Sequence, residues 1–262
     1  MTDDDADERL SGPERQRFLL EAARQHGRVR VTQAAKSLAV TPETVRKDLA
    51  ALQEDGLIVR VHGGGLPVET LAYEPGVTVR TEWAAEKERI GRAALEEIPT
   101  GGVIFIEAGS TTARFAELIP ADLPVTVVTN SLPIALQLTS RSTAATVVIL
   151  GGRVRALTLG SVDALAIRNL QDLYVDVAFL GTNGLTVDRG LTTPDIAEAE
   201  TKRAALNCSN RRVLLADHSK VGKVSFCRYG ELGDIDLLIT DTALSAHQAD
   251  ELGSVIGQVV RV

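Results

Sequence analysis

The chain has 262 residues, of which 44% are hydrophobic, 24% are charged and only 3% are aromatic, and its formal net charge at pH 7 is −7. This length suffices for one large or two modest domains, with cores built from aliphatic side chains. No apolar run reaches the roughly 18–20 residues that a membrane span needs, so no membrane partner is expected. Two cysteines without paired spacing and four scattered histidines argue against a disulfide framework and against a metal site.

The first ten residues, MTDDDADERL, are acidic and polar. This composition is not that of a signal peptide, and it offers too little apolar surface to fold. We therefore expect residues 1–10 to be a disordered tail. Together with the unpaired cysteines, the tail indicates a cytoplasmic protein.

Residues 14–61 carry a series of small elements. The apolar spacing predicts a helix over Glu14–Gln25 that ends at Gly27, and a short strand over Val29–Val31. Thr32 is expected to cap a second short helix. The apolar sides of these two helices consist of Phe18, Leu19, Ala22 or Ala23, Ala34, Ala35 and Leu38.

The next segment has the pattern of a helix that enters a DNA groove. Thr41 is a favourable N-cap, and Pro42 fits the first helical turn, where its missing N–H costs nothing. The helix is expected to end at Gly56, before a basic strand over residues 57–61 and a glycine tip at residues 63–65. Its apolar face consists of Val45, Leu49 and Leu52.

Polar residues near the start of this third helix, Thr44, Arg46 and Lys47, point away from its apolar face. Recognition helices use this end to contact bases and phosphates, although an ordinary amphipathic surface helix would show the same pattern. Between residues 9 and 65, ten basic residues stand against six acidic ones, which leaves +4 on a chain whose total is −7. The element order and the local charge predict a winged helix-turn-helix that binds DNA.

The run TPETVRKDLAALQEDGLIVRVHGGG, residues 41–65, resembles the DNA-binding signature of the DeoR family. In that family the helix reads close to S-x-x-T-I-R-R-D-L and the wing ends in R-x-H-G-G-A, so Lys47 replaces an arginine. Because lysine lacks the bidentate geometry of arginine, Lys47 is expected to contact phosphate rather than bases. Asp48 is expected to be structural and to orient a nearby arginine. The resemblance implies DNA contacts by Thr32, Thr41, Thr44, Arg46, Lys47, Arg60 and His62.

From residue 102 onward the pattern changes to buried strands that alternate with helical stretches. Unbroken apolar runs suit strands covered on both faces of a parallel sheet, and the helices between them suit βαβ units. A helix over residues 80–95 is expected to precede the first of these strands. The predicted strands are Val103–Ile106, Val125–Val128, Thr146–Leu150, Val175–Leu180, Val213–Ala216 and Leu237–Ile239.

Polar or glycine-rich loops follow these strands. In open α/β sheets, ligands bind at the carboxyl ends of the strands, where glycines and small hydroxyl residues let backbone N–H groups approach an anion. Gly109–Thr112, before a helix that opens at Ala113, is therefore a candidate phosphate cradle, although a plain helix cap would have the same sequence. Because six such loops meet at one edge of the sheet, we expect a pocket there.

This half of the chain also resembles the DeoR sensor domain. VIFIEAGSTT resembles its D-A-G-T-T motif, with Glu107 in place of the aspartate, and VVTNS, ILGGRV, FLGTNGL, GLTTPDIAEAETKRA and LADHSKVG match its pattern. Such domains belong to the ribose-5-phosphate isomerase and CoA-transferase superfamily, which implies a phosphorylated sugar as effector and no cofactor. The resemblance assigns the phosphate to Gly109, Ser110, Thr111 and Thr112, the pocket floor to Thr129, Asn130 and Gly152, and the sugar hydroxyls to Asn183.

Charged residues near the same strand ends complete the candidate effector site. Asp217 and Lys220 form an Asp-x-x-Lys directly after a buried strand, where Lys220 would meet phosphate or a sugar oxygen and Asp217 a hydroxyl; the alternative is a surface turn with an ion pair. Asp195 is either a ligand or a helix cap, and Lys202 is either a ligand or solvated. The charges expected to be solvated on the same helix are Glu198 and Glu200.

The predicted protein is therefore α/β, with a small N-terminal winged helix-turn-helix and a mostly parallel, Rossmann-like sheet with helices on both faces. The tail at residues 1–10 precedes the DNA-binding domain at residues 11–66. A linker over residues 67–80 then leads to a sensor and oligomerisation domain over residues 81–262.

Three functions are compatible with this organisation. The first, which we expect, is a transcriptional regulator, a repressor of a carbohydrate catabolism operon, whose affinity for double-stranded operator DNA is modulated by a phosphorylated sugar. Operators with repeated half-sites imply a homo-oligomer, a dimer or tetramer, at the nucleoid. The second is a sugar-phosphate isomerase with Glu107, Asp195 or Asp217 as base and Lys220 stabilising an enediolate, but an isomerase has no use for a recognition helix. The third is an architectural DNA-binding protein whose second half only oligomerises.

Overall fold

The computed structural model of the chain describes residues 10–68, 71–141 and 143–262. The tail that we expected to be disordered lies, except for Leu10, outside the described residues. Two compact units divide the chain after residue 70, so the expected linker over residues 67–80 is shared between them. None of the helices in the described ranges is both long and apolar enough to cross a membrane.

The first unit is a winged helix-turn-helix, as predicted. Its described residues form three helices and one antiparallel sheet with the strand order β1-β3-β2. The elements are α1 (Gly12–Gln25), β1 (Val29–Arg30), α2 (Val31–Ser37), α3 (Pro42–Glu54), β2 (Ile58–Val61) and β3 (Gly64–Pro67). The helices enclose a core that includes Leu19, Ala23, Val45, Leu49, Leu52 and Ile58.

Predictions for the end of β1, the N-cap of α2 and the burial of Phe18 were wrong, and the prediction of a glycine tip was right only in part. β1 ends at Arg30, which pairs with Gly64 and is thereby held extended, so the helix begins at Val31 and its N-cap is Arg30 rather than Thr32. Phe18 is 39% exposed and does not belong to the core. The expected glycine tip is confirmed only for Gly63, which lies in the turn after β2, because Gly64 and Gly65 begin β3, the second strand of the wing.

Gly64 lies where two backbones approach closely. A Cβ atom at this position would lie 1.9 Å from the carbonyl oxygen of Val29, across the β1–β3 pair. Only a residue without a side chain fits such a contact. The glycine therefore fixes the wing against the strand that leads into α2.

The second unit is built on a seven-stranded parallel sheet with the order β15-β14-β12-β9-β4-β5-β6. All six strands predicted from the sequence belong to it, with ends that shift by up to four residues, and an additional strand forms one edge. The sheet strands are β4 (Val103–Ile106), β5 (Thr126–Thr129), β6 (Thr146–Ile149), β9 (Val175–Leu180), β12 (Ser209–Leu215), β14 (Leu237–Thr240) and β15 (Val259–Arg261).

Helices cover both faces of this sheet, as predicted, because each strand buries side chains on both sides. One core contains Ile106, Phe115 and Phe179, whereas the other contains Phe105 and Leu214. The predicted helix over residues 80–95 begins only at Ala84, because the preceding residue has a left-handed backbone. The helices are α4 (Ala84–Ala94), α5 (Ser110–Leu118), α6 (Leu132–Arg141), α7 (Asp163–Gln171), α8 (Ile196–Asn207) and α9 (Ala246–Gly253).

Short antiparallel strands beside the main sheet were not predicted. They form a two-stranded pair, β7-β8, and a three-stranded sheet with the order β10-β11-β13. They are three or four residues long and are interrupted by arginine, glycine or threonine, so they lack the apolar runs that reveal a buried strand. Their bounds are β7 (Arg153–Arg155), β8 (Gly160–Val162), β10 (Gly184–Thr186), β11 (Gly190–Thr193) and β13 (Cys227–Gly230).

The strand order reverses between β4 and β9. From β4 the chain moves to β5 and β6 on one side, and then returns to β9 on the other side of β4. Ligands of open α/β sheets bind at the carboxyl ends of the strands beside such a switch point. The loops after β4 and β9 are therefore the place to look for a site.

Replacing Gly64 by alanine tests the close approach in the wing. We expect Gly64→Ala to destabilise the first unit by about 2–3 kcal/mol, because the added methyl forces β1 and β3 apart. Calorimetric unfolding of the full-length protein measures the effect. Gly12→Ala is the matched control, since its Cβ has room and its cost should stay within about 0.5 kcal/mol. Equal effects of the two changes would contradict the assignment.

Candidate functional site

The start of α3 presents polar groups in an ordered arrangement. Thr41 caps the helix, as predicted: its hydroxyl accepts a hydrogen bond from the Thr44 N–H at 3.1 Å and lies 2.9 Å from the Thr44 hydroxyl. Arg46 and Lys47 are exposed on the following turn. Arg46 pairs with Glu43 at 3.0 Å, but both side chains are more than half exposed, so the pair contributes little and leaves Arg46 available to a phosphate.

The wing adds two further exposed side chains, Arg60 on β2 and His62 in the turn after it. The Arg60 N–H donates to the side chain of Gln53 at 3.1 Å, which ties the wing strand to the end of α3. Thr32 is exposed in the first turn of α2. The contacts of these residues with DNA stay predictions, but the structure keeps their side chains at the surface.

Asp48 is structural, as predicted, and the arginine that it orients is Arg15. The Arg15 guanidinium contacts both carboxylate oxygens, at 2.8 and 3.3 Å. The hydrogen bond to Asp48 raises the pKa of Arg15. This pair ties α1 to the middle of α3.

A buried ion pair lies at the switch point of the sheet. Glu107 follows β4 and pairs with Lys202 of α8, and both side chains are about 95% buried. The Gly181 N–H after β9 donates to Glu107 at 2.8 Å, and the Lys202 ammonium donates to the Gly181 carbonyl at 2.9 Å. Burial raises the pKa of Glu107, and the charge of Lys202 opposes this shift without cancelling it. The suggestion that Lys202 is solvated was wrong, because its ammonium joins the loops after β4 and β9.

The candidate phosphate cradle forms the first turn of α5, which begins at Ser110 rather than at Ala113. Gly109 is the N-cap, and the first N–H groups of an α-helix have no partner within the helix. The Thr112 hydroxyl is fully buried and donates to the Gly109 carbonyl at 3.0 Å. Thr111 is also buried, so an anion at this helix end would meet mainly backbone N–H groups and Ser110.

The predicted pocket floor is committed to internal hydrogen bonds. The Thr129 hydroxyl donates to the Ile106 carbonyl at 2.6 Å and accepts from the Ser131 N–H at 3.0 Å. The Asn130 side chain accepts from the Ala108 N–H at 2.8 Å. These residues hold the loop after β4 in place. Gly152, after β6, has a φ of 142°.

Asp217 is not part of a surface turn, so that alternative was wrong. Its side chain is fully buried, and one oxygen accepts hydrogen bonds from the Ser219 N–H, at 3.1 Å, and from the Ser219 hydroxyl. The other oxygen has no hydrogen-bond partner among the described residues. A buried polar atom without a partner is unusual and calls for a ligand or water. Burial lowers the pKa of Lys220, and the charge of Asp217 opposes this shift.

Lys87 is a site residue that the sequence analysis missed. It lies on the buried face of α4, only 4% exposed, and its ammonium donates to the carbonyls of Arg80, at 3.1 Å, and Glu82, at 2.6 Å. Burial lowers its pKa from 10.5 to about 8; Asp217 opposes the shift, whereas Lys220 and Arg80 strengthen it. Helical spacing from Ile90 and Ala94 would have placed Lys87 on the buried face.

His218 links the Asp217 loop to two neighbours. The ring Nδ1 of His218 lies 2.9 Å from one Asp241 oxygen, and the backbone N–H of His218 donates to the other oxygen at 2.7 Å. The Trp83 ring meets the imidazole edge-on, with centroids 4.5 Å apart. Burial acts to raise the pKa of Asp241, but the His218 and Ala243 hydrogen bonds outweigh it and lower the pKa.

A second buried network surrounds Arg155 of β7. Its guanidinium contacts Glu74, Asp195 at 3.2 Å and Glu198 at 3.3 Å. Asp195 also caps α8 by accepting the Glu198 N–H at 3.0 Å, so the cap alternative is confirmed. Glu198 is only 8% exposed, so the prediction of a solvated charge was wrong for it, because an arginine 43 residues away reaches it. Glu200 is exposed, as predicted.

Asn183, after β9, belongs to the same network. Its amide donates to Glu74 at 3.2 Å, and its oxygen accepts from the Thr193 hydroxyl at 3.0 Å. Thr193 also contacts Glu198 at 3.3 Å. The carboxyl edge of the sheet therefore carries two buried charged residues, Lys202 and Asp217, and two partly exposed polar residues, Asn183 and Lys220.

Comparisons with known proteins agree with both halves of this picture. The family model described as "DeoR C terminal sensor domain" matches residues 82–242, and the one described as "DeoR-like helix-turn-helix domain" matches residues 15–70. "HTH-type transcriptional regulator GlpR" of Haloferax volcanii is 36% identical over 242 residues, 92% of this chain and 94% of its own length. "Glycerol-3-phosphate regulon repressor" of Escherichia coli is 31% identical over 235 residues, 87% of this chain and 90% of its own. The solved structure of ribose 5-phosphate isomerase A from Methanocaldococcus jannaschii covers 52% of this chain and 53% of its own, with 19% identity and a TM-score of 0.38.

An exposed recognition helix with a wing, joined to an α/β unit with a charged strand-end site, defines a DNA-binding transcriptional regulator with a sensor domain. The named relatives are regulators, which supports this interpretation over the isomerase. The chain belongs to the DeoR family, because the sensor-domain model alone covers more than half of it.

The buried Lys87 predicts a pH dependence of stability. Its pKa is about 8 in the folded chain and 10.5 when unperturbed, so between these values the unfolded chain binds more protons. The cost of burying the charge is fully present below about pH 8 and disappears as the pH rises toward 10.5. We expect the wild type to gain stability relative to Lys87→Met between about pH 7 and about pH 10, as measured by urea unfolding. A difference independent of pH would contradict the assignment.

Proposed function

We propose that the chain represses a carbohydrate catabolism operon and releases its operator when a phosphorylated polyol or sugar binds at the strand ends. The observation that carries this proposal is the buried Asp217 oxygen without a described partner, beside Lys87 and Lys220. One carboxylate and two amines suit a ligand that has both hydroxyl and anionic groups. The Asp217 oxygen would accept a ligand hydroxyl, and the lysines would contact its phosphate.

The phosphate assignment has a second support in α5. The helix dipole and the N–H groups of its first turn favour an anion beside Gly109 and Ser110. The loop that carries them follows β4, directly at the switch point of the sheet.

Glycerol 3-phosphate is the first effector to test. One relative carries the name "Glycerol-3-phosphate regulon repressor", and its similarity covers both units of this chain. Glycerol 3-phosphate also has the phosphate and hydroxyl groups that the site would recognise. Ribose 5-phosphate, inorganic phosphate and free glycerol complete the set, since they separate phosphate recognition from hydroxyl recognition.

The repressor is proposed to act as a homo-oligomer, a dimer or tetramer, in the cytoplasm at the nucleoid. A single winged helix covers only one half-site, and two half-sites increase both affinity and specificity. For the effector to release DNA, its affinity must be higher for the arrangement of the protein that is unable to bind DNA. The reciprocal loss of effector affinity on operator DNA follows from linkage.

Removing a recognition side chain tests the DNA-binding half. We expect Arg46→Ala to weaken operator binding by about ten- to a hundredfold, about 1–3 kcal/mol, while glycerol 3-phosphate still raises the melting temperature as in the wild type. A gel shift with the upstream region of the gene and a thermal-shift assay measure the two properties. Arg114→Ala removes an equally exposed arginine from α5 and should leave both unchanged. Full operator binding by Arg46→Ala would contradict the recognition assignment.

Removing Lys220 tests the sensor half in the opposite sense. Lys220→Ala should bind the operator as the wild type does, but fail to release it when glycerol 3-phosphate is added, because a phosphate contact is lost. The gel shift is repeated with increasing effector for the variant and for Lys36→Ala, whose exposed lysine lies in the first unit. Normal release by Lys220→Ala would show that the effector binds elsewhere.

A further inference from the structure

Residues 71–83 form a segment, here called the strap, that directly follows the first unit in sequence. Its contacts run across the carboxyl edge of the sheet. The Val77 N–H donates to the Leu157 carbonyl, between β7 and β8, at 2.6 Å. At the other end of the strap, Trp83 meets His218 in the loop after β12. The strap therefore touches loops from both sides of the switch point.

Glu74 is the charged anchor of the strap. Its side chain is 1% exposed and forms ion pairs with Arg80, within the strap, and with Arg155 of β7. The Asn183 amide donates to the same carboxylate at 3.2 Å. Two guanidinium groups and an amide around one carboxylate are also what proteins use to bind an anionic ligand. Glu74 thus occupies a position with the chemistry of an anion site.

Arg80 connects this anchor to the candidate effector site. Burial lowers the pKa of both Lys87 and Lys220, and the Arg80 charge adds to both shifts. The Arg80 carbonyl also accepts the Lys87 hydrogen bond. An anion that reaches these lysines therefore meets a guanidinium already held by Glu74, and has to compete with it.

The strand-end groups are accessible to a ligand only if part of the site moves. Asp217 is fully buried and Lys202 is 4% exposed. Trp83, at the end of the strap, has a φ of 57°, a left-handed conformation that is unfavourable for a bulky residue and is kept only by its surroundings. Because Trp83 packs on His218, next to Asp217, release of the strap would relieve this strain and uncover the loop that carries Asp217.

We propose that the Glu74 carboxylate occupies an anion subsite formed by Arg80 and Arg155, and that the phosphate of the effector displaces it. Displacement also frees Glu74 from Asn183 and so releases the strap from the sheet edge. Because the strap continues in sequence into the DNA-binding unit, this exchange gives effector binding a route to operator affinity. The proposal rests on the proposed function and specifies how the same site is regulated.

Glu74→Gln in the full-length chain removes the competing charge with little change of shape. We expect it to bind glycerol 3-phosphate about tenfold more tightly than the wild type in calorimetric titrations, because the internal competitor is weakened. Free glycerol, which has no anionic group, should show no gain. Glu200→Gln is the matched control, since this glutamate is exposed on α8. If Glu74→Gln does not fold, the shorter Glu74→Asp keeps the charge and should show a smaller gain of the same sign.

Hydrogen exchange at the Val77 amide reports the strap itself. We expect faster exchange in Glu74→Gln without ligand, and in the wild type when glycerol 3-phosphate is added, but not when glycerol is added. If the ion pairs of Glu74 were merely structural, their loss in the variant would accelerate exchange without any gain in phosphate affinity. Unchanged or weaker phosphate binding by Glu74→Gln therefore overturns the proposal, whatever the exchange rate.

The outcomes separate this proposal from the proposed function. If the wild type binds glycerol 3-phosphate and Glu74→Gln shows no gain, the proposed function stands and the displacement is wrong. If neither protein binds the sugar phosphates, but Glu74→Gln binds inorganic phosphate that the wild type and Glu200→Gln do not bind, the anion subsite stands and the effector class is wrong. If no phosphate compound binds any of the proteins, both proposals are wrong.

Discussion

A carboxylate removed from water costs several kcal/mol unless an opposite charge and hydrogen bonds replace its hydration. Three carboxylates at the carboxyl edge of the sheet meet this requirement in different ways. Glu107 has Lys202 and the Gly181 N–H, and Glu74 has two arginines and an amide. Asp217 has Ser219 on one oxygen only. The first carboxylate holds the switch point together, the second fastens the strap, and the third keeps one oxygen without a hydrogen-bond partner among the described residues.

The two units use charge in opposite ways. In the first unit, Arg46 and its partner Glu43 are solvated, so their pair contributes little and can be exchanged for a DNA phosphate. In the second unit, Lys87 and Lys202 are buried, where each contact is stronger and each loss more costly. Exposed charges thus suit reversible binding to a large polyanion, and buried charges suit selection of one small ligand.

The parallel sheet was predictable because strands covered on both faces must be apolar throughout, as in Val103–Ile106 and Val175–Leu180. The recognition helix was predictable because Thr41 and Pro42 fix its start by local chemistry. The sequence did not reveal β3, whose Gly-Gly-Leu-Pro is selected by close approach to β1 rather than by strand propensity. Nor did it reveal Glu74, Arg155 or the burial of Glu198, because their partners are distant in the chain and only the fold brings them together.

The central claim is that one chain couples a strand-end effector site to an operator-binding helix, and linkage offers the most direct test. The affinity for glycerol 3-phosphate is measured by calorimetry with and without saturating operator DNA, and operator affinity is measured with and without the effector. Such coupling requires each ligand to weaken binding of the other by the same factor, about 5–150-fold. Effector binding that is unchanged by operator DNA, together with operator binding unchanged by the effector, would contradict it.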